Sequence, residues 1–192
     1  MSRESILGRV KKNKPAKIEL PEHNLNKLVF DDVLEAFRES LEGVGGMLVK
    51  VSSYEEIADR IKQEFPELTK FKSDVKEVPS IEPPEINNPH DCADLEFYMA
   101  EGLVAVAENA AIWINEETAE YRSAYFLTQH LSLVIKKDSV VSNMHEAYDR
   151  IGKLESVFGT FISGPSKTAD IEQSLVLGAH GSRSLIVFVL EN

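Results

Sequence analysis

The sequence predicts an α/β domain built on a mostly parallel sheet, and three observations support this prediction. A helix, a strand and a second helix follow one another between residues 25 and 65. Several later segments are short and almost wholly apolar, which is typical of strands covered on both faces of a parallel sheet. The last third of the chain has the pattern strand, loop, helix, strand, which indicates a right-handed β-α-β unit.

The first half of the chain supplies the alternation of helix and strand. Apolar residues at three- and four-residue spacing predict a helix over Leu25–Leu41, and Met47–Val51 has the composition of a short strand. The serines at positions 52 and 53 are candidate N-caps for a second helix, which runs to about Phe65 before a proline. Helix, strand and helix in this order favour the α/β class over a helix bundle or a sandwich.

Five prolines change the character of residues 66–92, because proline interrupts helices and central strands. We interpret this segment as a connection across the surface, with Ile81 as a candidate strand residue. Residues 94–101 are predicted to form a helix that leads into the next strand. The segments on either side are each too short to hold a core of their own, so residues 21–192 are predicted to form one domain.

Short apolar runs dominate the second half of the chain and predict most of the sheet. Ser142–Leu154 has the spacing of a helix with one apolar face, and Thr168–Leu177 is predicted to be another helix. Ser184–Leu190 is almost wholly apolar and closes the predicted β-α-β unit. The other runs predicted to be strands are Leu103–Ala107, Ala110–Ile114, Leu131–Ile135 and Val157–Ile162.

Length and hydropathy exclude several classes of protein. A chain of 192 residues is long enough to bury a core without disulfide or metal support. It has no run of about 20 apolar residues, the length that a membrane span requires. The segment after Met1 lacks the apolar core of a signal peptide, so we expect a cytoplasmic protein.

Cysteine and histidine usage argues against a metal or redox centre in this chain. Cys92 is the only cysteine, so the chain alone cannot form a disulfide, a thiolate zinc cluster or a four-cysteine iron–sulfur site. The acidic neighbours of Cys92 favour an inert side chain over a nucleophile. The histidines show no spacing typical of metal ligands, so we expect no metal site.

Charge is unevenly distributed along the chain. The net charge is −11, which disfavours binding to nucleic acid or to anionic lipid. Residues 1–17 carry six basic side chains against Glu4 alone, a net charge of +5, which leaves −16 for the remainder. Residues 1–20 are therefore predicted to be a basic arm or helix. Such an arm either docks on an acidic partner or on its own domain, or stays solvated as a mobile terminus.

The first of three loops that could carry chemistry is Gly164–Thr168. If the strands are assigned correctly, these loops lie at the carboxyl ends of strands, where ligands of parallel sheets gather. The Gly164–Thr168 loop combines a glycine that allows close backbone approach, two hydroxyls, the Lys167 ammonium and the N-terminus of the predicted helix. Such a site prefers a carboxylate or a phosphate. The alternative is that Ser166 or Thr168 only caps the helix and that Lys167 is solvated.

The other two loops hold candidate proton-transfer groups. His180 lies between Gly178 and Gly181 just before a buried strand, where its imidazole could bind a carboxylate or exchange a proton near pH 7. The alternative is a structural histidine that is hydrogen-bonded across the turn. Glu108 lies between two apolar runs, and an apolar setting would suit this carboxylate to act as an acid, a base or a nucleophile. The alternative is a glutamate in a tight turn that faces solvent. His130 is a further candidate site residue.

Two motifs in the last third resemble the LUD-domain family, in its lactate-utilisation protein C group. They are Ile162–Glu172 (ISGPSKTADIE) and Gly178–Gly181 (GAHG), followed by the terminal apolar strand. The resemblance extends upstream over residues 102–135, where Ala107–Asn109 corresponds to the family's Ala-Glu-Thr-Gly segment, and it is faint before residue 90. The candidate catalytic residues are Glu108 and His180, and the candidate ligand-binding residues are Gly164, Pro165, Ser166, Lys167, Thr168, Asp170, Glu172, Gly178 and Gly181.

The resemblance implies a three-layer α/β/α fold similar to the NagB/RpiA/CoA-transferase group. It also implies a role in the oxidation of L-lactate to pyruvate beside two partner proteins, of which at least one holds iron–sulfur clusters. A single cysteine fits that division of labour, so no cofactor is expected in this chain. The chain departs from the family pattern at Asn109–Ala110, which replaces the usual Thr-Gly and removes a hydroxyl and a flexible residue beside Glu108. Ser182 stands where the family usually has proline.

These observations support one leading hypothesis and two alternatives. We expect an accessory subunit of a lactate-oxidising system, without a redox centre of its own, whose C-terminal loops bind a small organic anion. Lys167 and the amides after Gly164 would hold the anion, and His180 would orient or protonate it. The first alternative is a free-standing enzyme related to CoA-transferases or sugar-phosphate isomerases, with Glu108 as nucleophile or base. The second is a non-catalytic interaction or regulatory module, and the sequence leaves the oligomeric state open.

Overall fold

Helices and strands alternate along the part of the chain that the structure describes. The computed structural model describes residues 2–16, 18–19, 27–152, 158–169, 175–177 and 181–191. None of the helices in these ranges is long and apolar enough to cross a membrane. The helices are α1 (Arg3–Lys12), α2 (Val33–Gly43), α3 (Tyr54–Glu64), α4 (Ala124–Leu127) and α5 (Met144–Ile151), with short 3-10 helices at Pro89–Asp94 and Lys137–Ser139. The strands are β1 (Met47–Val51), β2 (Phe71–Ser73), β3 (Phe97–Glu101), β4 (Val104–Val106), β5 (Ala111–Asn115), β6 (His130–Lys136), β7 (Val140–Val141), β8 (Gly159–Ile162), β9 (Lys167–Ala169), β10 (Leu175–Leu177) and β11 (Ser184–Leu190).

A five-stranded sheet forms the centre of the fold, in the order β1-β11-β6-β3-β2. Its neighbouring strands are all parallel, and β11 pairs with β1 on one side and with β6 on the other. The strand β11 is apolar on both faces because a central strand of a parallel sheet is covered above and below. The prediction of an α/β fold with a mostly parallel sheet is therefore confirmed.

Alternate residues of β11 enter two separate cores. Leu185, Val187 and Val189 pack in the core on the α2 side of the sheet. Ile186 and Phe188 pack in the core on the α3 side. These side chains are all at most 3% exposed, and full burial of one such side chain stabilises a fold by roughly 1.5–3 kcal/mol. Strand β11 therefore shares one core with α2 on one face of the central sheet and another core with α3 on the opposite face.

A second sheet lies beside α2 on the same face of the central sheet. Its strand order is β7-β4-β5-β8, and the antiparallel strands β4 and β5 are joined by the turn 107–110. Ala105 and Ile112 join the core on the α2 side, whereas Val104 and Val106 pack in a third core with α5. Apolar runs predicted β4, β5 and β8, but strand pairing depends on tertiary contacts, so the sequence did not reveal that they form a separate sheet.

The first predicted helix begins later than expected. Helix α2 starts at Val33 rather than at Leu25, after Asp32, whose carboxylate accepts a hydrogen bond from a backbone N–H of the first turn at 3.0 Å. The Leu28 carbonyl oxygen instead accepts a hydrogen bond from Asn143 Nδ2 at 2.8 Å. This bond joins residues far apart in the chain, so local apolar spacing cannot reveal it. It gives the Leu28 carbonyl oxygen a hydrogen-bond donor without a helix. The next two predictions, β1 and α3, are confirmed.

The segment 94–101, predicted to be helical, contains a strand instead. Strand β3 pairs with β2 on one side and β6 on the other, and the 3-10 helix Pro89–Asp94 precedes it. The proline-rich segment 66–92 contributes β2 to the sheet, and Phe71 of β2 also forms an isolated bridge with Ile81. Pairing on both sides gives β3 a ladder of hydrogen bonds that outweighs its local preference for a helix.

The helix predicted over Thr168–Leu177 is also wrong. Strands β9 and β10 form an antiparallel hairpin in which Lys167 pairs with Leu177 and Ala169 pairs with Leu175. The preceding strand β8 belongs to the second sheet, so the predicted β-α-β unit is replaced by a strand, a hairpin and the central strand β11. Short apolar runs do not distinguish helix from strand by periodicity, and here cross-strand pairing decides between them.

Candidate functional site

A cleft forms where the loop after β8 meets the segment before β11. Its volume is about 340 Å³, which is within the range of pockets that bind small ligands. Its lining combines aromatic and aliphatic residues with loop residues that carry hydroxyls, backbone amides and one ammonium. The cleft is lined by Tyr125, Phe126, Leu131, Phe161, Ile162, Ser163, Gly164, Pro165, Ser166, Lys167, Gly181 and Ser182.

The Gly164 loop meets the described end of a second predicted loop, residues 181–183, in this cleft. The Ser166 N–H donates a hydrogen bond to the Ser182 carbonyl oxygen at 2.9 Å. A Cβ atom on Gly181 would lie 3.1 Å from both the Ser166 Oγ and the Phe126 carbonyl oxygen. Glycine therefore allows three segments to approach one another here. The structure brings the Gly164 loop and the start of the 181–183 segment to one place, as the leading hypothesis requires.

The close approach predicted for Gly164 is made by the protein's own backbone. Gly164 has a φ of +74°, in the left-handed region that favours glycine, and a Cβ atom there would lie 2.8 Å from the Val44 carbonyl oxygen. The turn after α2 therefore packs directly against the loop. A Cβ atom on Gly45 of the same turn would lie 3.7 Å from Pro165 Cγ and 3.9 Å from Lys167 Nζ. This turn thus supports the loop and lies beside the ammonium.

Lys167 supplies the positive charge of the cleft. Its side chain is exposed, and no carboxylate of the described residues lies within ion-pair distance of its ammonium. The half-buried Ser166 also lines the cleft, and Phe126, Leu131 and Ile162 are among its apolar lining residues. Such a cleft can bind a small organic anion, with its carboxylate at the ammonium and its carbon atoms on the apolar lining residues.

The aromatic residues from α4 are part of the site that the sequence analysis missed. Burial raises the pKa of the Tyr125 phenol, so this side chain is neutral. Its hydroxyl lies 2.7 Å from Thr118 Oγ1, which fixes the ring in the lining of the cleft. Phe126 is 45% exposed, so part of this apolar residue is open to a ligand. Neither residue belongs to a motif, and only the folded chain shows that they face the Gly164 loop.

Glu108 does not line the cleft. It is exposed in the turn between β4 and β5, and its Oε2 accepts a hydrogen bond from the Met144 N–H at 3.3 Å, at the start of α5. The apolar setting expected for this carboxylate is therefore not found. The same turn touches the rim of the cleft, because the Ser163 hydroxyl donates a hydrogen bond to the Asn109 carbonyl oxygen at 2.8 Å. Ala110, in the place of a family glycine, has a φ of +57°.

The cleft lies at the amino-terminal edge of the central sheet, which corrects its predicted position. Gly181 and Ser182 precede β11, and Tyr125 and Phe126 precede β6. The three loops were expected at the carboxyl ends of parallel strands, but the loop after β8 follows a strand of the second sheet. This loop leads into β9, so a strand takes the place of the helix N-terminus that was expected to attract an anion.

Several predicted site residues lie outside the residues that the structure describes. They are Asp170, Glu172, Gly178 and His180. Thr168 belongs to the backbone of β9. The role in orienting or protonating an anion that the sequence assigns to His180 therefore stays a prediction.

Cys92 has the environment of an inert side chain. It is buried, and its sulfur accepts a hydrogen bond from the Ser123 hydroxyl at 3.1 Å. Within the described ranges, no group of three or more His, Cys, Asp or Glu side chains is arranged so that it could hold a metal ion.

Comparison with known proteins identifies relatives of this chain. A family model described as the LUD domain matches residues 85–190, which is more than half of the chain. Two proteins named lactate utilization protein C are similar to it. The one from Shouchella clausii is 33% identical over 95 residues, which cover 46% of this chain and 41% of that protein. The one from Bacillus pumilus is 32% identical over 93 residues, which cover 45% of this chain and 39% of that protein. The matches therefore span about two-fifths of the length of these relatives.

A solved structure resembles the fold over most of the chain. The crystal structure of a DUF162 family protein from Deinococcus radiodurans matches with a TM-score of 0.63 at 17% sequence identity. The match covers 83% of this chain and 96% of that one. At this level of identity the similarity shows the fold alone.

Proposed function

Because the chain belongs to the LUD domain family, we propose that it contributes to lactate utilisation by binding a small organic anion in the cleft beside Lys167. The main support is that the Gly164 loop and the segment 181–183 meet beside one exposed ammonium, in a cleft that apolar residues also line. The carboxylate of the anion would bind Lys167, and its carbon atoms would lie on Phe126 and Ile162. The relatives named lactate utilization protein C make lactate and pyruvate the first ligands to test.

In this proposal the chain is an accessory component, and partner proteins with iron–sulfur clusters accept the electrons. Oxidation of lactate to pyruvate removes two electrons and two protons, so it requires an acceptor. The only cysteine, Cys92, is buried and hydrogen-bonded to Ser123, so this chain has no set of thiolates to hold a cluster. His180 would orient or protonate the bound anion.

Isothermal titration of the 192-residue chain tests the anion site. The probes are L-lactate, pyruvate, inorganic phosphate and acetyl-CoA. We expect a monocarboxylate to bind and Lys167→Ala to weaken its binding at least about tenfold, since a hydrogen bond to a charged group contributes roughly 1.5–3 kcal/mol. Lys62→Ala is the matched control, because this exposed lysine lies on α3 and does not line the cleft. Absence of binding by every probe, or equal loss in both variants, would contradict the proposal.

The alternative of a free-standing transferase or isomerase receives less support from the geometry. Its nucleophile would be Glu108, whose carboxylate lies at the start of α5 and does not line the cleft. Turnover by the purified chain that disappears in Glu108→Gln would favour this alternative over an accessory role.

A further inference from the structure

Helix α1 has an apolar face that the rest of the described chain does not cover. Residues three and four apart share one side of a helix, which places Ile6, Leu7 and Val10 together. These side chains are 51%, 44% and 52% exposed, and no residue of α1 is buried. Arg3 and Lys11 lie four residues to either side of Leu7, so basic groups border the apolar face.

A helix of this kind requires a surface to pack on. With 10 residues, α1 is shorter than the 12–15 or so residues at which an isolated helix becomes even marginally stable in water. Its N-cap helps, since the Ser2 hydroxyl oxygen accepts a hydrogen bond from the Ser5 N–H at 3.3 Å. Such a cap contributes about 1 kcal/mol, and most helical stability in proteins comes from packing an apolar face.

A second cleft on the body of the protein has the complementary character. Its volume is about 360 Å³, and it lies at the end of α3, at the amino-terminal edge of the central sheet. Its floor is apolar and aromatic, and carboxylates stand on its rim. We call it the acidic cleft, and its main residues are Glu64, Phe65, Glu67, Leu68, Glu96 and His130.

The floor of the acidic cleft is held in place by ring contacts. The Phe65 ring lies 5.0 Å from the Phe97 ring and 5.0 Å from the His130 ring, measured between centroids. His130 Nδ1 lies 2.8 Å from the Ser184 hydroxyl oxygen. Burial and the nearby charge of Arg183 lower the pKa of His130, so the ring is neutral at pH 7 and does not oppose a basic partner.

Two carboxylates on the rim remain available to meet basic groups. Glu64 and Glu67 are exposed, and neither forms an ion pair with another residue in the described ranges. Glu96 differs, because its carboxylate already accepts hydrogen bonds from the backbone N–H groups of Thr69 and Lys70. The charge of the rim therefore opposes the charge of α1.

We propose that α1 of one copy of this chain docks into the acidic cleft of a second copy, so that two chains exchange their N-terminal helices. Ile6 and Val10 pack on Phe65 in this arrangement, and Lys11 lies near Glu67. A second copy fits best because both complementary surfaces occur in one chain, while the apolar side chains of α1 stay about half exposed and none of its residues is buried. Exchange uses the same contact twice and closes as a two-fold dimer. This proposal does not depend on the anion site.

Sedimentation velocity of the full chain over a range of micromolar concentrations tests this exchange. We expect a concentration-dependent dimer whose dissociation constant rises at least tenfold in Lys11→Glu and in Glu67→Lys. Lys12→Glu is the matched control, because successive residues turn by about 100° around a helix, which places Lys12 opposite the apolar face. Val10→Asp tests the apolar contact in the same way. Circular dichroism checks that each variant keeps its helix content.

An equal mixture of Lys11→Glu and Glu67→Lys completes the test. The wild-type helix of one variant meets the wild-type cleft of the other, and the two altered surfaces are again opposite in charge, so we expect a mixed dimer close to wild-type affinity. A chain that stays monomeric at every concentration would overturn the proposal, whether or not its helix docks on its own body. A dimer that Lys11→Glu weakens no more than Lys12→Glu would overturn it as well.

Discussion

Replacing Gly164 with alanine tests how the loop of the anion cleft is held. The residue has a φ of +74°, and the added Cβ would meet the Val44 carbonyl oxygen at 2.8 Å and Val44 Cγ2 at 3.0 Å. The first of these contacts is with backbone, which cannot rotate away as the end of a side chain can. The substitution therefore forces either the loop or the turn after α2 to move.

The expected loss of stability has two parts. An L-residue in the left-handed region costs roughly 1–2 kcal/mol, and overpacking of a tight contact costs roughly 1–3 kcal/mol. We expect Gly164→Ala to lower the free energy of unfolding by about 3 kcal/mol. In a protein of this size each kcal/mol lowers the melting temperature by roughly 2–4 °C, so the shift is about 6–12 °C. Anion binding is expected to weaken too, because Gly164 lines the cleft.

Thermal and urea unfolding followed by circular dichroism measure this loss. Gly43→Ala is the matched control, since this helical glycine has no atom within 4 Å of an added Cβ. Alanine is the better helix former, so the control is expected to gain about 0.5–1 kcal/mol. A Gly164→Ala variant that unfolds with the wild-type protein would refute the reasoning, because neither the φ angle nor the contact with Val44 would then matter.

Three further predictions concern stability. Ala110→Gly is expected to raise the free energy of unfolding in urea by about 0.5–1 kcal/mol, since Ala110 has a φ of +57°, and an unchanged value would count against this strain. Ser132→Ala is expected to stabilise the fold by about 1 kcal/mol, because its buried hydroxyl has no hydrogen-bond partner among the described residues; a clear loss on urea unfolding would indicate a hidden partner. Hydrogen bonds from the backbone N–H groups of Thr69 and Lys70 lower the pKa of Glu96 in the folded protein. The ionised Glu96 therefore stabilises the fold at pH values above the unfolded pKa of about 4.3, and this stabilisation is lost as the pH falls through the lower folded pKa. The stability difference between wild type and Glu96→Gln should therefore shrink in acid, and a constant difference from pH 7 to 3 would exclude this cause.

The candidate site was only partly predictable, and particular residues show why. Gly164, Lys167 and Gly181 could be predicted from the local sequence. Glycines next to polar residues are typical of turns, and a lysine in such a turn supplies a positive charge. Phe126 and Leu131 belong to no motif, and only packing brings them into the cleft. Glu108 was expected in an apolar setting because its neighbours in sequence are apolar. In the fold those neighbours point inward, and the glutamate at the turn points outward.

The family resemblance inferred from two short motifs is confirmed by the match over residues 85–190. The motifs are recognisable in the sequence even though the helix predicted over Thr168–Leu177 is wrong, since its described residues belong to strands β9 and β10. A sequence motif consists of residue types that are neighbours in the chain, whereas the secondary structure of a short segment depends on the strands with which it pairs.

By itself the sequence determined the α/β class, the buried strand at the C-terminus, the strand and helix near residue 50, and the separation of charge between the N-terminal arm and the body. These features follow from composition and periodicity, which act over a few neighbouring residues. The tertiary structure decided which strands share a sheet, where α2 begins, and that the cleft opens at the amino-terminal edge. Those outcomes depend on hydrogen bonds and contacts between residues far apart in the chain, such as Leu28 with Asn143, and no local pattern specifies them.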